Sequence, residues 1–139
     1  MDFAHLTESL QGFGPFLLYV GLSLGLIAIY AAVYTWTTAH DELALIRDGN
    51  FSAAVAFSGS LIGYTLPIAA LILNTRTVLE FLMWGVIALV VQVGIYWFFR
   101  LLMIRDVSAR ITRNEAATGT LLAAASLVGG IVNAAALAT

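Results

Sequence analysis

Few side chains in this sequence of 139 residues could carry out chemistry. Two amides, Gln92 and Asn133, lie in apolar stretches, where an amide must find a hydrogen-bond partner or face a solute path. The run His40-Asp41-Glu42 offers three potential ligands, but consecutive residues of a helix cannot converge on one metal ion, and no second cluster completes the set. Cysteine is absent and no nucleophile lies beside a base, so we expect no metal, no cofactor and no enzymatic activity.

The basic residues of the chain are six arginines, and eight acidic residues give a net charge of −2. This balance lacks the basic face that nucleic acid requires, so no nucleic-acid partner is expected. Three of the arginines, Arg105, Arg110 and Arg113, lie close together beside apolar residues. That pattern suits contact with anionic lipid headgroups, but we favour a role in fixing membrane topology, with which lipid contact is compatible.

The elements that must position these residues are membrane-spanning helices. Hydrophobic residues make up 61% of the chain, charged residues only 10%, and the mean hydropathy is +0.96. A soluble domain carries about a quarter charged residues, so this composition excludes one. Four runs without charge are long enough to cross a bilayer as helices: Pro15–Trp36, Ser52–Leu73, Phe81–Phe99 and Ala116–Ala138. The sequence predicts an all-α integral membrane protein with four transmembrane helices in one compact domain.

The charges flanking these runs predict how the chain is oriented. Residues 1–14 lack the basic residues of a cleaved signal peptide, and their helical spacing of apolar side chains predicts a short interfacial helix, with a frayed terminus as the alternative. Five of the six arginines lie in or beside the first and third loops. The positive-inside rule therefore predicts that these loops are cytoplasmic and that both termini lie outside the cytoplasm.

The two halves of the chain resemble each other. Sliding the chain along itself by 66 residues pairs Ser60 with Ser126 and Gly63 with Gly129. We interpret this match as a duplicated helical hairpin. Because each copy has two spans, the copies would share one orientation, as a parallel repeat. The predicted hairpins are residues 15–73 and 81–138.

Small residues predict where the helices pack closely, because they let backbones approach in lipid. We expect the second and fourth spans to pack against each other or against another subunit. The glycines assigned to helix packing are Gly21, Gly25, Gly59, Gly63, Gly119, Gly129 and Gly130. Pro67 lacks a backbone N–H and crowds the carbonyl of Gly63, so a kink is expected there, with Thr65 or a neighbouring helix satisfying that carbonyl.

Two motifs carry a resemblance to a known family. The first is Asp41-Glu42-x4-Arg47-Asp48-Gly49-Asn50-x2-Ala53-Ala54, followed by Ser58-Gly59-x3-Gly63-x3-Pro67. The second is Arg113-Asn114-x-Ala116-Ala117-x-Gly119, followed by Gly129-Gly130-x2-Asn133-Ala134-Ala135. With them the chain resembles the YjfL-like family of small bacterial inner-membrane proteins. The resemblance implies paired helices and an inner-membrane location, and it suggests a link to envelope stress. It transfers no catalytic or binding residue.

These observations support one leading hypothesis and two alternatives. The leading hypothesis is a non-enzymatic membrane component, surrounded by lipid, that forms a homo-oligomer and supports envelope integrity. The first alternative is a passive channel or small-solute pore lined by Gln92 and the Pro67 kink. The second is an anchor for a membrane or cytoplasmic protein partner. We favour a bond between helices for Gln92 and a helix-end bond for Asn133. No charged side chain is expected inside a span, which disfavours a proton-driven transporter.

Overall fold

A computed structural model describes residues 3–38, 41–103 and 105–139, and these residues form seven helices and no strand. The helices are α1 (Phe3–Leu10), α2 (Phe13–Thr37), α3 (Glu42–Arg47), α4 (Phe51–Asn74), α5 (Val78–Met103), α6 (Val107–Thr112) and α7 (Ala116–Leu137). Four segments are long and apolar enough to cross a membrane: α4, α5, α7 and a first one that takes in α1 and α2. The predicted all-helical fold with four spans is confirmed.

The ends of the spans differ from the predicted ones by a few residues. α2 begins two residues before Pro15, whose missing N–H costs nothing in the first helical turn. α5 continues four residues past Phe99 and so includes Arg100, which is buried. Helix α5 is thus longer than the predicted span, and residues 81–99 themselves carry no charged side chain. The interfacial position of residues 1–14 stays a prediction, although α1 forms there and is exposed.

The first loop folds as a short capped helix. The Asp41 carboxylate accepts a hydrogen bond from the backbone N–H of Ala44 at 3.2 Å and so caps α3. Gly49 ends α3 with a φ of +84°, a conformation that glycine adopts without steric cost. Asn50 then caps α4 by accepting from the N–H of Ala53 at 2.8 Å. Of the run His40-Asp41-Glu42, His40 lies outside the described residues.

The third loop repeats this backbone design. The N–H of Gly49 donates to the Ile46 carbonyl at 3.0 Å, and the N–H of Asn114 donates to the Ile111 carbonyl at 2.8 Å. Asn114 takes the same left-handed conformation, with a φ of +62°. These matched residues lie 65 apart, one fewer than the 66 of the ungapped sequence match. A common origin of the two hairpins stays a prediction.

Both loop helices lie at one end of the bundle, which we call the α3/α6 end. There the Asn50 amide donates to the Ile111 carbonyl at 2.8 Å. Because α4 and α7 both leave from this end, they run parallel to each other, and α2 and α5 return antiparallel to them. α5 packs against α4 and α7, while α2 packs against α4 and α5. The apolar core beneath α2 includes Leu26, Tyr30, Tyr64, Ile68, Leu71, Phe81, Ala88 and Leu89.

α4 passes through Pro67 as one helix. The hydroxyl of Thr65 donates to the carbonyl of Leu61 at 2.9 Å. Thr65 is exposed, so the suggestion that it satisfies the Gly63 carbonyl is wrong. A neighbouring helix approaches that carbonyl instead, at Gly130 of α7. The bend expected at Pro67 stays a prediction.

Candidate functional sites: a buried polar network and an arginine groove

The closest helix contact joins α4 to α7 along their glycines. A Cβ on Gly130 would overlap the carbonyl oxygen of Gly63 and would lie 2.8 Å from its Cα. A Cβ on Gly59 would lie 2.6 Å from the Cα of Ala123. A Cβ on Gly119 would overlap the backbone of Ser52, and one on Gly129 would meet a methyl group of Ile95 at 2.5 Å. The glycines of spans two and four therefore pack inside one chain.

Gly21 and Gly25 behave differently. Both lie on an exposed face of α2, and a Cβ added at either would meet nothing within 4 Å. Ala28 and Ala32 continue the same exposed row of small residues along the helix. α2 is also the least buried of the four spans. These two glycines have no packing role within the described part of the chain.

Gln92 lies at the meeting point of α4, α5 and α7. Its side-chain amide donates to the carbonyl of Ser126 in α7 at 2.9 Å. A Cβ on Gly63 in α4 would come within 2.9 Å of the same nitrogen, so only glycine leaves room for the amide. Gln92 is fully buried, with 0% of its surface exposed. It forms the interhelical bond that we favoured from the sequence, and its side chain is not exposed on the surface of the bundle.

Asn133 also forms an interhelical bond. Its amide donates to the carbonyl of Ala88 in α5 at 3.1 Å, and the side chain is buried. The expected helix-end bond is therefore wrong. α5 runs antiparallel beside α7, so Ala88, about three turns after the start of α5, lies level with Asn133, about one turn before the end of α7.

Two tyrosines fix α2 and α4 in the middle of the bundle. Tyr30 of α2 shares a hydrogen bond of 2.5 Å with the hydroxyl of Ser60 in α4. The Tyr64 hydroxyl donates to the carbonyl of Gly85 in α5 at 2.8 Å. The rings of the two tyrosines stack with centroids 4.7 Å apart. The first bond ties α2 to α4 and the second ties α4 to α5, and because both are buried they favour one register of these helices.

A buried polar network lies at the α3/α6 end. We define it as Tyr34, Glu42, Tyr96, Arg100 and Ser108. The Tyr34 hydroxyl donates to a Glu42 carboxylate oxygen at 3.2 Å, and the rings of Tyr34 and Tyr96 pack edge to face at 5.0 Å. The Arg100 guanidinium donates to the Tyr96 hydroxyl at 3.3 Å and to the Ser108 hydroxyl at 2.7 Å.

The polar network buries the carboxyl group of Glu42 and the guanidinium group of Arg100. Glu42 is 1% exposed and Arg100 is 8% exposed, and Arg100 also lies over the ring of Trp97 at 4.6 Å. Burying such groups is costly unless they are hydrogen-bonded, so the network ties α3 and α6 to the ends of α2 and α5. The sequence analysis missed this site. The available signal was the i, i+4 spacing of Tyr96 and Arg100, which places both on one face of a helix.

A second polar site lies on the outside of the same end. We call it the arginine groove: a surface groove of about 390 Å³ between α5, α6 and α7. Arg105 and Arg110 both line it, whereas Arg113 does not. Arg110 pairs with Glu115 at 3.2 Å, and Arg113 approaches the same carboxylate at 3.9 Å from a more exposed position. The three arginines of the third loop are thus divided between the groove and the open surface.

The chain is similar in sequence to known inner-membrane proteins. The family model described as Domain of Unknown Function (DUF350) matches residues 8–137. Two relatives called UPF0719 inner membrane protein YjfL, from Escherichia coli strain K12 and from Escherichia coli O157:H7, are each 34% identical over 131 residues. Each match covers 94% of this chain and 96% of the relative. No solved structure matches the chain.

Proposed function

The chain belongs to the DUF350 family and is a multi-pass inner-membrane protein, and we propose that it is a non-enzymatic component of that membrane. In this proposal, copies of the chain associate with one another through α2. The family membership confirms the resemblance to YjfL-like proteins. The proposed role of the assembly is to support envelope integrity, the role that the family resemblance suggests.

The observation that carries this proposal is the open glycine pair of α2. Gly21 and Gly25 lie one helical turn apart on an exposed face. Exposed leucines flank them, with Leu17 at 51% and Leu24 at 62% of their surface accessible. Small residues beside large ones form the close interfaces by which helices associate in lipid, where van der Waals packing replaces the hydrophobic effect. A second α2 supplies the matching surface.

The placement of the arginines supports the proposed orientation. The α3/α6 end carries Arg47, Arg100, Arg105, Arg110 and Arg113, whereas Arg76 lies at the opposite end, between α4 and α5. Under the positive-inside rule the α3/α6 end faces the cytoplasm and both termini lie outside it. Labelling of single cysteines at Thr139 and Ala109, both exposed, with an impermeant reagent tests this: Thr139→Cys reacts from outside, and Ala109→Cys reacts only after the membrane is permeabilised.

No observation favours the passive pore. Its proposed lining residue, Gln92, is enclosed by three helices of its own chain, and Pro67 is buried as well. Neither side chain faces the outer surface from which an oligomer would build a lumen. We therefore expect proteoliposomes with wild-type protein to pass ions no faster than protein-free liposomes. We expect the same rate of ion flux with Gln92→Leu. Ion flux that Gln92→Leu abolishes would contradict this.

The self-association proposal is tested by counting copies in liposomes at low protein density, with single-molecule photobleaching of a labelled chain. We expect wild type to form dimers or larger assemblies, and Gly21→Leu or Gly25→Leu to shift it to monomers. Gly94→Leu is the matched control. A Cβ at Gly94 also meets nothing within 4 Å, but this glycine lies on α5, outside the proposed interface.

A uniform monomer in wild type would contradict the proposal, as would an assembly that both α2 variants leave intact. Gly59→Leu and Gly63→Leu do not serve this test. Both positions pack inside the chain against α7, so these variants would disrupt the bundle itself and remove the assembly only indirectly. A strain that lacks the protein and is complemented with Gly25→Leu then tests whether assembly matters for envelope permeability.

A further inference from the structure

The arginine groove lies at the level where a membrane has its lipid headgroups. It opens at Met103, the last residue of α5, and at Ala117 in the first turn of α7. α5 and α7 have 26 and 22 residues, so they span roughly 39 and 33 Å, about the hydrocarbon thickness or slightly more. Side chains at these helix ends therefore lie beside phosphate groups rather than acyl chains.

The charge of the groove matches one phosphodiester. Arg105 and Arg110 contribute two guanidinium groups and Glu115 one carboxylate, which leaves one formal positive charge. Arg105 has no hydrogen bond or ion pair with any residue that the structure describes. Arg110 has five N–H donors and gives one of them to Glu115 at 3.2 Å, which leaves donors for a ligand. The Thr118 hydroxyl donates to the same carboxylate oxygen at 3.0 Å.

A second, apolar groove lies between α5 and α7, farther from the α3/α6 end than the arginine groove. It has a volume of about 340 Å³ and is lined by Gly94, Ile95, Phe98, Phe99, Val128, Gly129 and Val132. Phe99 lies one turn from Met103 on α5, and Val128 lies two turns from Leu121 on α7, so both grooves follow the same helix faces. The missing side chain at Gly94 keeps this part of the surface concave.

We propose that these two grooves form one binding site for an anionic phospholipid of the membrane. The phosphodiester contacts Arg105 and Arg110, and an acyl chain lies in the apolar groove beneath them. The site differs from a general attraction of lipid to basic loops because it assigns the contact to two particular arginines. Arg113 lies on the same loop but outside the groove, with 69% of its side chain exposed, and it does not take part.

The experiment uses the full chain purified in detergent, with bound lipid counted by native mass spectrometry during addition of phosphatidylglycerol. We expect one phosphatidylglycerol to bind more tightly than phosphatidylcholine of the same chains. Arg105→Gln and Arg110→Gln should each weaken this binding about fivefold, the change that corresponds to about 1 kcal/mol per arginine. Arg113→Gln removes the same charge outside the groove and should weaken binding less than about twofold, because it loses only long-range attraction.

A second pair of variants tests the apolar part of the site. Gly94→Leu should fill the apolar groove and reduce the bound lipid, whereas Gly14→Leu, at an equally open position of α2 outside the proposed interface, should not. Inorganic phosphate should fail to displace the lipid. Equal losses in Arg105→Gln and Arg113→Gln would overturn the proposal in favour of general charge attraction. Displacement by phosphate, or unchanged binding in Gly94→Leu, would overturn it in favour of a headgroup-only anion site.

Discussion

Substituting Gly130 by alanine tests the parallel contact between α4 and α7. The new Cβ would lie 2.8 Å from the Cα of Gly63 and closer still to its carbonyl oxygen. Ordinary van der Waals contact begins at 3.4 Å, so the two backbones must separate by the difference, 0.6 Å or more. A gap of 0.5–1 Å forfeits roughly a quarter to a half of each dispersion contact along the interface.

The size of the effect follows from this separation. Overpacking of a close contact costs roughly 1–3 kcal/mol, and alanine recovers up to about 1 kcal/mol through its higher helix propensity. Because the new Cβ meets backbone atoms, which cannot rotate away, the cost should be about 3 kcal/mol, the upper end of this range. After the gain in helix propensity, we expect Gly130→Ala to lower the free energy of unfolding by about 2 kcal/mol, which is roughly 30-fold in the folding equilibrium. Gly85→Ala should cost less, because its Cβ would meet only a terminal methyl group of Leu26, a side chain that can move.

The assay is reversible unfolding in mixed micelles, driven by sodium dodecyl sulfate and followed by circular dichroism and tryptophan fluorescence. Gly94→Ala is the matched control, because its Cβ meets nothing and only the gain in helix propensity remains. Its stability should equal or exceed that of wild type. If Gly130→Ala proved as stable as Gly94→Ala, α4 and α7 would not be in contact at this glycine, and the packing described above would be wrong.

Four further substitutions, two of them combined in a double-mutant cycle, probe the buried polar side chains by the same unfolding assay. Gln92→Leu should leave stability within about 0.5 kcal/mol, since it removes the bond to Ser126 together with an amide oxygen that has no partner among the described residues. Asn133→Leu should cost about 1 kcal/mol through the lost bond to Ala88. A double-mutant cycle of Tyr96→Phe with Arg100→Met should give a coupling of roughly 0.5–1.5 kcal/mol; additive effects would contradict the polar network.

The four spans could be predicted because burial in lipid demands long runs without charge, and this signal lies in the local sequence. The helix caps were equally local: Asp41 and Gly49 mark the ends of α3 by their own chemistry. The existence of a partner for Gln92 followed from the cost of an unpaired amide in hydrocarbon. The identity of that partner, Ser126, did not follow, because it depends on which face α7 turns toward α5.

The polar network could not be predicted because its burial is tertiary. A span read from the sequence ends at its first charge, so Arg100 marks a boundary there, yet α6 folds back and covers it. Glu42 follows the N-cap of α3 and reads as a solvated residue until Tyr34 of α2 is placed against it. Asn133 was misjudged for a related reason: its distance along its own helix says nothing about the antiparallel neighbour.

The measurement that tests the proposed assembly most directly is cysteine crosslinking in native membranes, since the chain has no cysteine of its own. Gly25→Cys places a thiol on the open face of α2, and Ile62→Cys places one on an exposed face of α4, about the same number of helical residues from the α3/α6 end. We predict that a short bifunctional reagent links Gly25→Cys into a covalent dimer and leaves Ile62→Cys monomeric. Dimers that form equally at both positions, or only at Ile62→Cys, would contradict self-association through α2.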